Sequence, residues 1–543
     1  MRRGVCGALI AIPALPWLYE ACLRASWAPL GRDQGIFQYV AWAVTKGQTA
    51  YRDVRDVNGP LIYLLHHVML LLGGASEHRF RTLDLLFVGI TAAIFGAMLP
   101  SIGRRQPSVT ARLSGAAAAT TVILAQYLGY GFWDMAQRES FCDGFVLVSL
   151  GLQVEGCARK KSWLLAAAGA MSITPWLGKP TYALYTVVQI GALLWDDTAV
   201  PRWRRISLFA LGGVAGALVP LLWLLRFGDA PAWFRITFFE IPAMYRFIWP
   251  RPPMVIIELF RNAVLLACLT NVPMLALVLL EKMPRRALPI ASFALVGLVS
   301  VLVQAKGFPY HFHPVTLGST IAMLAMVWWA FDTAKSPSTR AGVALLALGL
   351  AGRAALEARH APFLVSPILR DDASLSSSNR LAPYTRVDFF PGAMHRVAEL
   401  VEAQTNTTDT VQVYGMDPYL LFLAHRLSAT PYILAYELDD YWALVGAYDP
   451  GGTVKPDEAQ KSRIRSMRDA HEADMLARLD AAPPAAFVFV SRSPLMSHED
   501  ALDDFADHCP DTTAWMLRRY HEVSCEEGIR VFFRSEPRLD IVP

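Results

Sequence analysis

LGRDQGIFQYVAWAVTKGQTAYRDVRDVNGP, residues 30–60, follows directly on the first apolar segment of the chain, and its reading decides the fold. It sets Asp33, and then Arg52, Asp53, Arg55 and Asp56, at the lip of an apolar helix and closes on a Gly-Pro stop. The surrounding sequence says what that helix is. Of 543 residues, 54% are hydrophobic and 18% charged, with a mean hydropathy of +0.33. The apolar residues run in long stretches separated by short basic ones, the pattern of a polytopic α-helical membrane protein. The opening MRRGVCGALIAIPALPWLYEACLR is charged and then apolar, without a convincing small-residue cleavage site, and reads as a retained first helix that doubles as the insertion signal. The net charge of +4 is spread over many loops, with no concentrated patch for nucleic acid.

Basic residues beside spans mark the cytoplasmic side. They cluster at Arg2-Arg3, Arg104-Arg105 with Arg112, Arg159-Lys160-Lys161, Arg202 with Arg204-Arg205, Lys282 with Arg285-Arg286, and Lys335 with Arg340. Successive clusters must lie two spans apart. This predicts about 11 transmembrane helices, near 4–22, 80–101, 112–130, 141–157, 163–178, 181–196, 206–226, 254–280, 288–304, 314–331 and 340–356, with the N-terminus inside and the C-terminus outside. PLIYLLHHVMLLLGG (60–74) falls short of the roughly 20 residues a crossing needs. It is expected as an amphipathic or re-entrant helix on the outer face, within a long first loop over 23–79 that carries surface helices.

Residues 1–356 thus form the transmembrane domain. From 357 the composition turns polar, and residues 357–543 read as a small extracytoplasmic α/β domain. TVQVYG, AAFVFVS and IRVFFR are expected strands; GAMHRVAELVEAQ and ADMLARLDAA are expected helices. Five of the seven cysteines lie in or beside apolar spans as small hydrophobes, which leaves Cys509 and Cys525 as the one pair suited to a disulfide on that side.

In this topology the unusual polar residues of four loops meet at one membrane surface: Asp33, Asp53 and Asp56; Asp134, Arg138 and Glu139; Lys179; and Lys306, Tyr310, His311 and His313. A charge at the end of a span is ordinarily a solvated anchor. Asp33 differs, because it precedes an aromatic helix (Ile36, Phe37, Tyr39, Trp42) expected to be bound at the surface, and ionisable groups at membrane depth point to function. Asp53 and Asp56 with Arg52 and Arg55 read more simply as a structural ion-pair knot. Two carboxylates from different loops suit base catalysis or cation binding. Lys179 suits a lipid phosphate, or simple snorkelling. His311-x-His313 is a weak metal signal without a third ligand, so no cofactor is expected.

With these residues in place the sequence resembles the GT-C superfamily of membrane glycosyltransferases over residues 5–330, and within it glycosyltransferase family 39, which includes protein O-mannosyltransferases and lipid A aminoarabinose transferases. The resemblance rests on GRDQGIFQYVAWAVTKGQTAYRDVRDVNGPLIYLLHHV, WDMAQRES, LGKPTY and KGFPYHFHP. It implies inverting transfer from a polyprenyl-phosphate-linked sugar to a protein, lipid or glycan acceptor at the outer face of a bacterial inner membrane. It implies catalytic roles for Asp33, Asp134 and Glu139, and substrate binding by Arg138, Lys179, Lys306, Tyr310, His311 and His313. The second loop lacks an Asp-x-Asp, so metal dependence of the oligosaccharyltransferase kind is not implied. The competing reading is a flippase or transporter of glycan-lipid precursors, which would place charges near the middles of its spans.

Overall fold

A computed structural model describes residues 2–103, 106–196, 200–361, 381–446 and 454–535. Arg104 and Arg105 lie outside the described residues. Each predicted span corresponds to a helix. They are α1 (Arg2–Ala25), α4 (Glu77–Met98), α5 (Val109–Gly129), α6 (Arg138–Arg159), α7 (Ser162–Ile173), α8 (Ala183–Trp195), α9 (Arg202–Phe227), α10 (Arg261–Leu279), α11 (Leu288–Gln304), α12 (His313–Thr333) and α13 (Pro337–Arg359); α2 (Arg32–Thr45) and α3 (Pro60–Gly73) lie in the first loop. Among the described residues eight helices are long and apolar enough to cross a membrane unaided. The other three spans are α5, which packs against α1 and α4, and the shorter α7 and α8.

Of these eight, the least apolar, α6, is also the most enclosed. Its polar residues are held by other helices: Ser149 Oγ donates to Ala168 O at 2.6 Å and Gln153 Nε2 to Gln189 O at 2.9 Å. Where lipid supplies no hydrophobic drive between helices, such bonds and close backbone approach hold the bundle. On the α7–α9 seam, a Cβ at Gly169 or Gly212 would strike the facing backbone at Phe209 or Ala166.

One predicted span is interrupted. Residues 254–280 form two helices, Pro253–Leu259 and α10, broken at Phe260, whose backbone leaves the helical region while its ring stacks on Phe312 at 4.0 Å.

The two ends of the bundle differ as the loop charges predict. At one end Arg112 and Arg159 pair with Glu155 at 2.6 and 2.9 Å, Arg205 with Asp196 at 3.5 Å, and Arg286 donates to Ile102 O. The opposite end carries the polar loops and, on top of them, the C-terminal residues.

Those C-terminal residues form α14 (Pro391–Gln404), β1 (Thr410–Tyr414), α15 (Tyr419–Leu423), β2 (Leu427–Ser428), α16 (Glu458–Ala481), β3 (Ala486–Val490), α17 (Ala501–His508), α18 (Pro510–Leu517), β4 (Tyr520–Glu526) and β5 (Ile529–Arg534). The sheet order is β2-β1-β3-β5-β4, parallel from β2 to β3 and antiparallel beyond. Successive strand residues face opposite sides, and β3 sorts its side chains accordingly. Ala486, Val488 and Val490 join a core shared with α2 and α3, while Phe487 and Phe489 pack outward with Phe505, Trp515 and Tyr520.

That shared core changes the expected place of α2. The helix is not a surface element: it is almost wholly buried, packed against α3 on one side and α15 on the other. The reason is apolar residues on both of its faces, which a one-sided membrane surface would leave half unburied. α3, with 14 residues, is too short to span, and keeps Leu71 and Leu72 exposed on its outer side, as an interfacial helix does.

The expected ion-pair knot forms only in part. Arg52 and Asp53 pair at the surface, but Arg55 reaches past them to Glu240 and Glu437 at 2.6 and 2.9 Å, and Asp56 turns inward. Cys509 is buried between α17 and α18, whereas Cys525 is exposed on β4; both are free thiols.

Candidate functional site

The first turn of α2 is fixed to the loop before α6 by one side chain. Gln34 accepts from Gly31 N–H and donates through Nε2 to Trp133 O and Met135 O at 2.9 and 2.6 Å. Arg81 reinforces the joint by donating to Pro29 O and Phe132 O at 2.6 and 2.8 Å. These bonds bring Asp33 opposite residues 134–139. Neither Gln34 nor Arg81 carries a sequence signal that would have marked it.

The result is a cavity of about 290 Å³ at the polar end of the bundle. Asp33, Asp56, Arg138, Glu139, Tyr245 and Tyr310 line it from below, and Met416, Leu434, Tyr436 and Leu495 of the C-terminal domain roof it. Among the described residues nothing donates a hydrogen bond to the Asp33 carboxylate. Burial pushes its pKa up to about 6, against the opposing pull of Arg138 and Arg32 and with the added push of Glu139 and Asp56. Asp134, on the one-turn helix Gly131–Asp134, is raised to about 7 by burial, with Arg386 opposing and Asp33 and Glu139 adding to it; its Oδ1 has no hydrogen-bond partner among the described residues.

Facing these acids is a compact charge cluster. Glu139, in the first turn of α6 where the helix dipole favours an anion, pairs with Lys179 and lies 3.8 Å from both Arg138 and His311. Arg138 donates to Asn58 Oδ1 at 2.9 Å, and its Nε is unpartnered. Lys179 is buried in the turn between α7 and α8, and burial lowers its pKa to about 8 while Glu139 favours the charged form.

The remaining predicted residues separate. Tyr310 lines the cavity, edge-on to His311 at 4.9 Å. Lys306 points away from it, donating to the carbonyls of Tyr245 (2.6 Å) and Ile248; burial lowers its pKa to about 8. His313 stacks on Tyr130 at 3.9 Å and meets Ser140 Oγ at 3.1 Å, beside a small second cavity deeper in the bundle. The two histidines of His-x-His therefore face different surroundings and do not chelate together, because a 3₁₀ turn over Pro309–Phe312 hands over to α12 between them. Asp56 was read as structural from sequence; the structure buries it in the cavity wall, with Asn58 Nδ2, Val57 N–H and Tyr63 as donors, and burial raises its pKa. The roof residues had no signal at all, since nothing local distinguishes Met416, Leu434, Tyr436 or Leu495 from core.

Glu139→Gln tests how tightly the cluster is balanced. Removing the anion leaves the buried Lys179 ammonium uncompensated, which typically costs about 3–5 kcal/mol. The thermal midpoint of the purified protein should fall accordingly, and Glu139→Gln with Lys179→Met should recover much of the loss. Additive losses in the double variant would show that the pair is not coupled.

No protein-family model matches the chain, and no curated protein matches it in sequence. Among solved structures it is similar to the crystal structure of ArnT from Cupriavidus metallidurans in the apo state, with a TM-score of 0.52 and 15% identity, each chain being covered over 96% of its length. A crystal structure of the Archaeoglobus fulgidus oligosaccharyltransferase in complex with Zn and sulfate aligns over 98% of this chain and 73% of that one, with a TM-score of 0.47 and 10% identity. The chain thus shares its overall fold with that ArnT structure over most of its length: a polytopic helical bundle that carries a C-terminal α/β domain.

Proposed function

We propose that this protein is an inverting glycosyltransferase that moves a sugar from a polyprenyl-phosphate donor to an acceptor at the outer face of the membrane. The observation that carries the reading is the carboxylate of Asp33, without a hydrogen-bond partner among the described residues, in one cavity with Arg138 and beside the Glu139–Lys179–His311 cluster. The motif resemblance and the fold shared with ArnT support it.

In a single displacement Asp33 takes the proton of the acceptor hydroxyl as its oxygen attacks the anomeric carbon, and the bond from that carbon to the phosphate oxygen breaks. The leaving polyprenyl phosphate is a stable anion and needs no proton. It needs a cation, and Arg138 is the one facing the cavity with donors to spare. Lys179 holds Glu139, which in turn positions Arg138, with His311 packed beside it. Asp134 stands as a second acid beside Asp33. Lys306 acts on the site through Tyr245, whose carbonyl it fixes. Tyr245, Tyr310 and Tyr436 supply ring faces and hydroxyls suited to a sugar.

The orientation follows from charge. The basic end of the bundle belongs inside, which puts the cavity and the C-terminal domain outside. Cys525 reports on this directly: exposed and free, it should react with a membrane-impermeant maleimide in right-side-out vesicles, and Cys525→Ser should remove that label. Labelling only after permeabilisation would reverse the assignment.

The function is tested with purified protein in nanodiscs, given radiolabelled polyprenyl-phosphate mannose and, separately, arabinose-type donors, with an envelope extract as acceptor source. Transfer of label out of the lipid fraction is the expected result. Intact donor in every arm would refute the reading.

A further inference from the structure

The C-terminal domain holds a second constellation, apart from the cavity, that the proposed reaction does not use. It lies beyond the ends of β1 and β3, between which the strand order β2-β1-β3 reverses direction, the place where open α/β sheets offer a crevice. Asp439 and Asp440 follow the short helix Ala435–Glu437, while Asp504 and His508 stand one turn apart on α17. A carboxylate oxygen from Asp439, one from Asp504 and a ring nitrogen of His508 all lie within 4.8 Å of one another, and all three residues are buried.

The geometry gives each face of the imidazole a different environment. His508 Nε2 is 3.2 Å from Asp439 Oδ1 and 2.9 Å from Ser497 Oγ. Nδ1 faces Asp440 Oδ1 at 3.8 Å. Asp440 is only 4% exposed, and its Oδ2 has no hydrogen-bond partner among the described residues. Asp439 and Asp504 converge so closely that both accept from the one N–H of Ser497, each at 2.8 Å. Tyr414 and the Ser497 hydroxyl donate to Asp504 as well, so neutral donors partly satisfy these oxygens without supplying positive charge. Among the described residues no arginine or lysine forms a salt bridge with Asp439, Asp440 or Asp504; Arg468, which donates to His508 O and lies beside Asp469, and Arg465 act on Asp440 only through space. Three carboxyl groups and one imidazole thus converge in a buried space, offering oxygen and nitrogen donors from two separate segments at one point.

We propose that this cluster binds a divalent metal ion of the zinc type, with Asp439, Asp504 and His508 Nε2 as ligands. Asp440, 3.8 Å from Nδ1, is the acid placed to orient the ring, the usual outer partner of a metal-bound histidine. One imidazole nitrogen with carboxylate oxygens suits zinc or manganese; calcium prefers six to eight oxygens and no imidazole. The site is structural and clamps the roof of the cavity, since Leu434 and Tyr436 lie five and three residues before Asp439, and Leu495 lies two before Ser497.

The test uses the full-length protein in nanodiscs, stripped with EDTA, reloaded with zinc chloride or manganese chloride and desalted. Wild type should retain about one equivalent of zinc by mass spectrometry, and its thermal midpoint should rise by several degrees on loading. His508→Gln and Asp439→Asn should lose both. Asp440→Asn, which leaves the three ligands in place, should still fold, as judged by gel filtration, and bind zinc about 10–100-fold more weakly. Wild type that retains neither metal, or His508→Gln that retains a full equivalent, would overturn the proposal; so would Asp440→Asn binding zinc as tightly as wild type.

Discussion

Asp33→Asn is expected to stop sugar transfer, by about 10²–10⁴-fold, the range lost when a positioned base is removed, while donor binding stays within a factor of a few. The substitution keeps size and polarity at a position whose carboxylate has no bond to another described residue, so the fold has little reason to change. What it removes is the proton acceptor. The raised pKa gives a second readout: with the carboxyl at about 6, the base is ionised above that pH and protonated below it. The wild-type kcat/KM should therefore fall about tenfold per pH unit below pH 6 and flatten above it. The donor-binding constant should not follow the same curve. Equal turnover by wild type and Asp33→Asn would place the chemistry elsewhere in the cavity, with Asp134, at about 7, the next acid to replace.

The largest effect on stability is expected one residue earlier. Arg32 donates through Nε to Asp417 Oδ1 and through Nη1 to Asp388 Oδ2, both at 2.9 Å, and its guanidinium lies over the rings of Trp133 and Phe389 at 5.5 and 5.8 Å. Asp417 is fully buried at the base of the C-terminal domain. Arg32→Leu leaves that carboxylate without its cation, a loss of typically about 3–5 kcal/mol. It also unties the first turn of α2 from the domain above. The variant should unfold at lower temperature, and limited proteolysis should release the C-terminal domain early. Arg32→Leu with Asp417→Leu should recover a substantial part of the loss, since removing both partners spares the cost of an unpaired buried charge. A drop of less than about 1 kcal/mol would mean that water or a shifted side chain replaces the arginine. Since Asp33 is its neighbour, transfer should fall with stability, and the double variant should separate the two effects.

The membrane architecture was legible in the sequence because its signals are local. Apolar run length is set by bilayer thickness, and loop charge by the cost of moving arginine across it. Both are written in consecutive residues, so the spans, the opposed basic and polar ends, and three strands of the C-terminal sheet could be read directly. β4 was missed because YHEVSCE is a polar edge strand without clean alternation, paired only through β5. The break at Phe260 leaves no local mark in the sequence; what accompanies it is a stack on Phe312, about fifty residues away.

The site was legible only in part, for the same reason. Asp33, Arg138, Glu139, Lys179 and Tyr310 stood out as charged or polar residues at span ends, where the interface makes them costly. Which of them share a cavity depends on contacts the sequence does not order. Gln34 ties α2 to residues 133–135, roughly a hundred positions away, and Lys306 spends its ammonium on the backbone of residues 245 and 248. The greatest difference lies in α2, whose two apolar faces say that it is buried on both sides but not by what. The answer is a domain that begins more than three hundred residues later, whose valines complete the core around it and whose loops line one side of the cavity. Hydrophobic pattern and loop charge thus placed the apolar helices and the basic and polar ends of the bundle; burial of long-range charges, Arg32 on Asp417 and Lys179 on Glu139, fixed which ends meet, because a charge in a low dielectric needs its partner at one place in space.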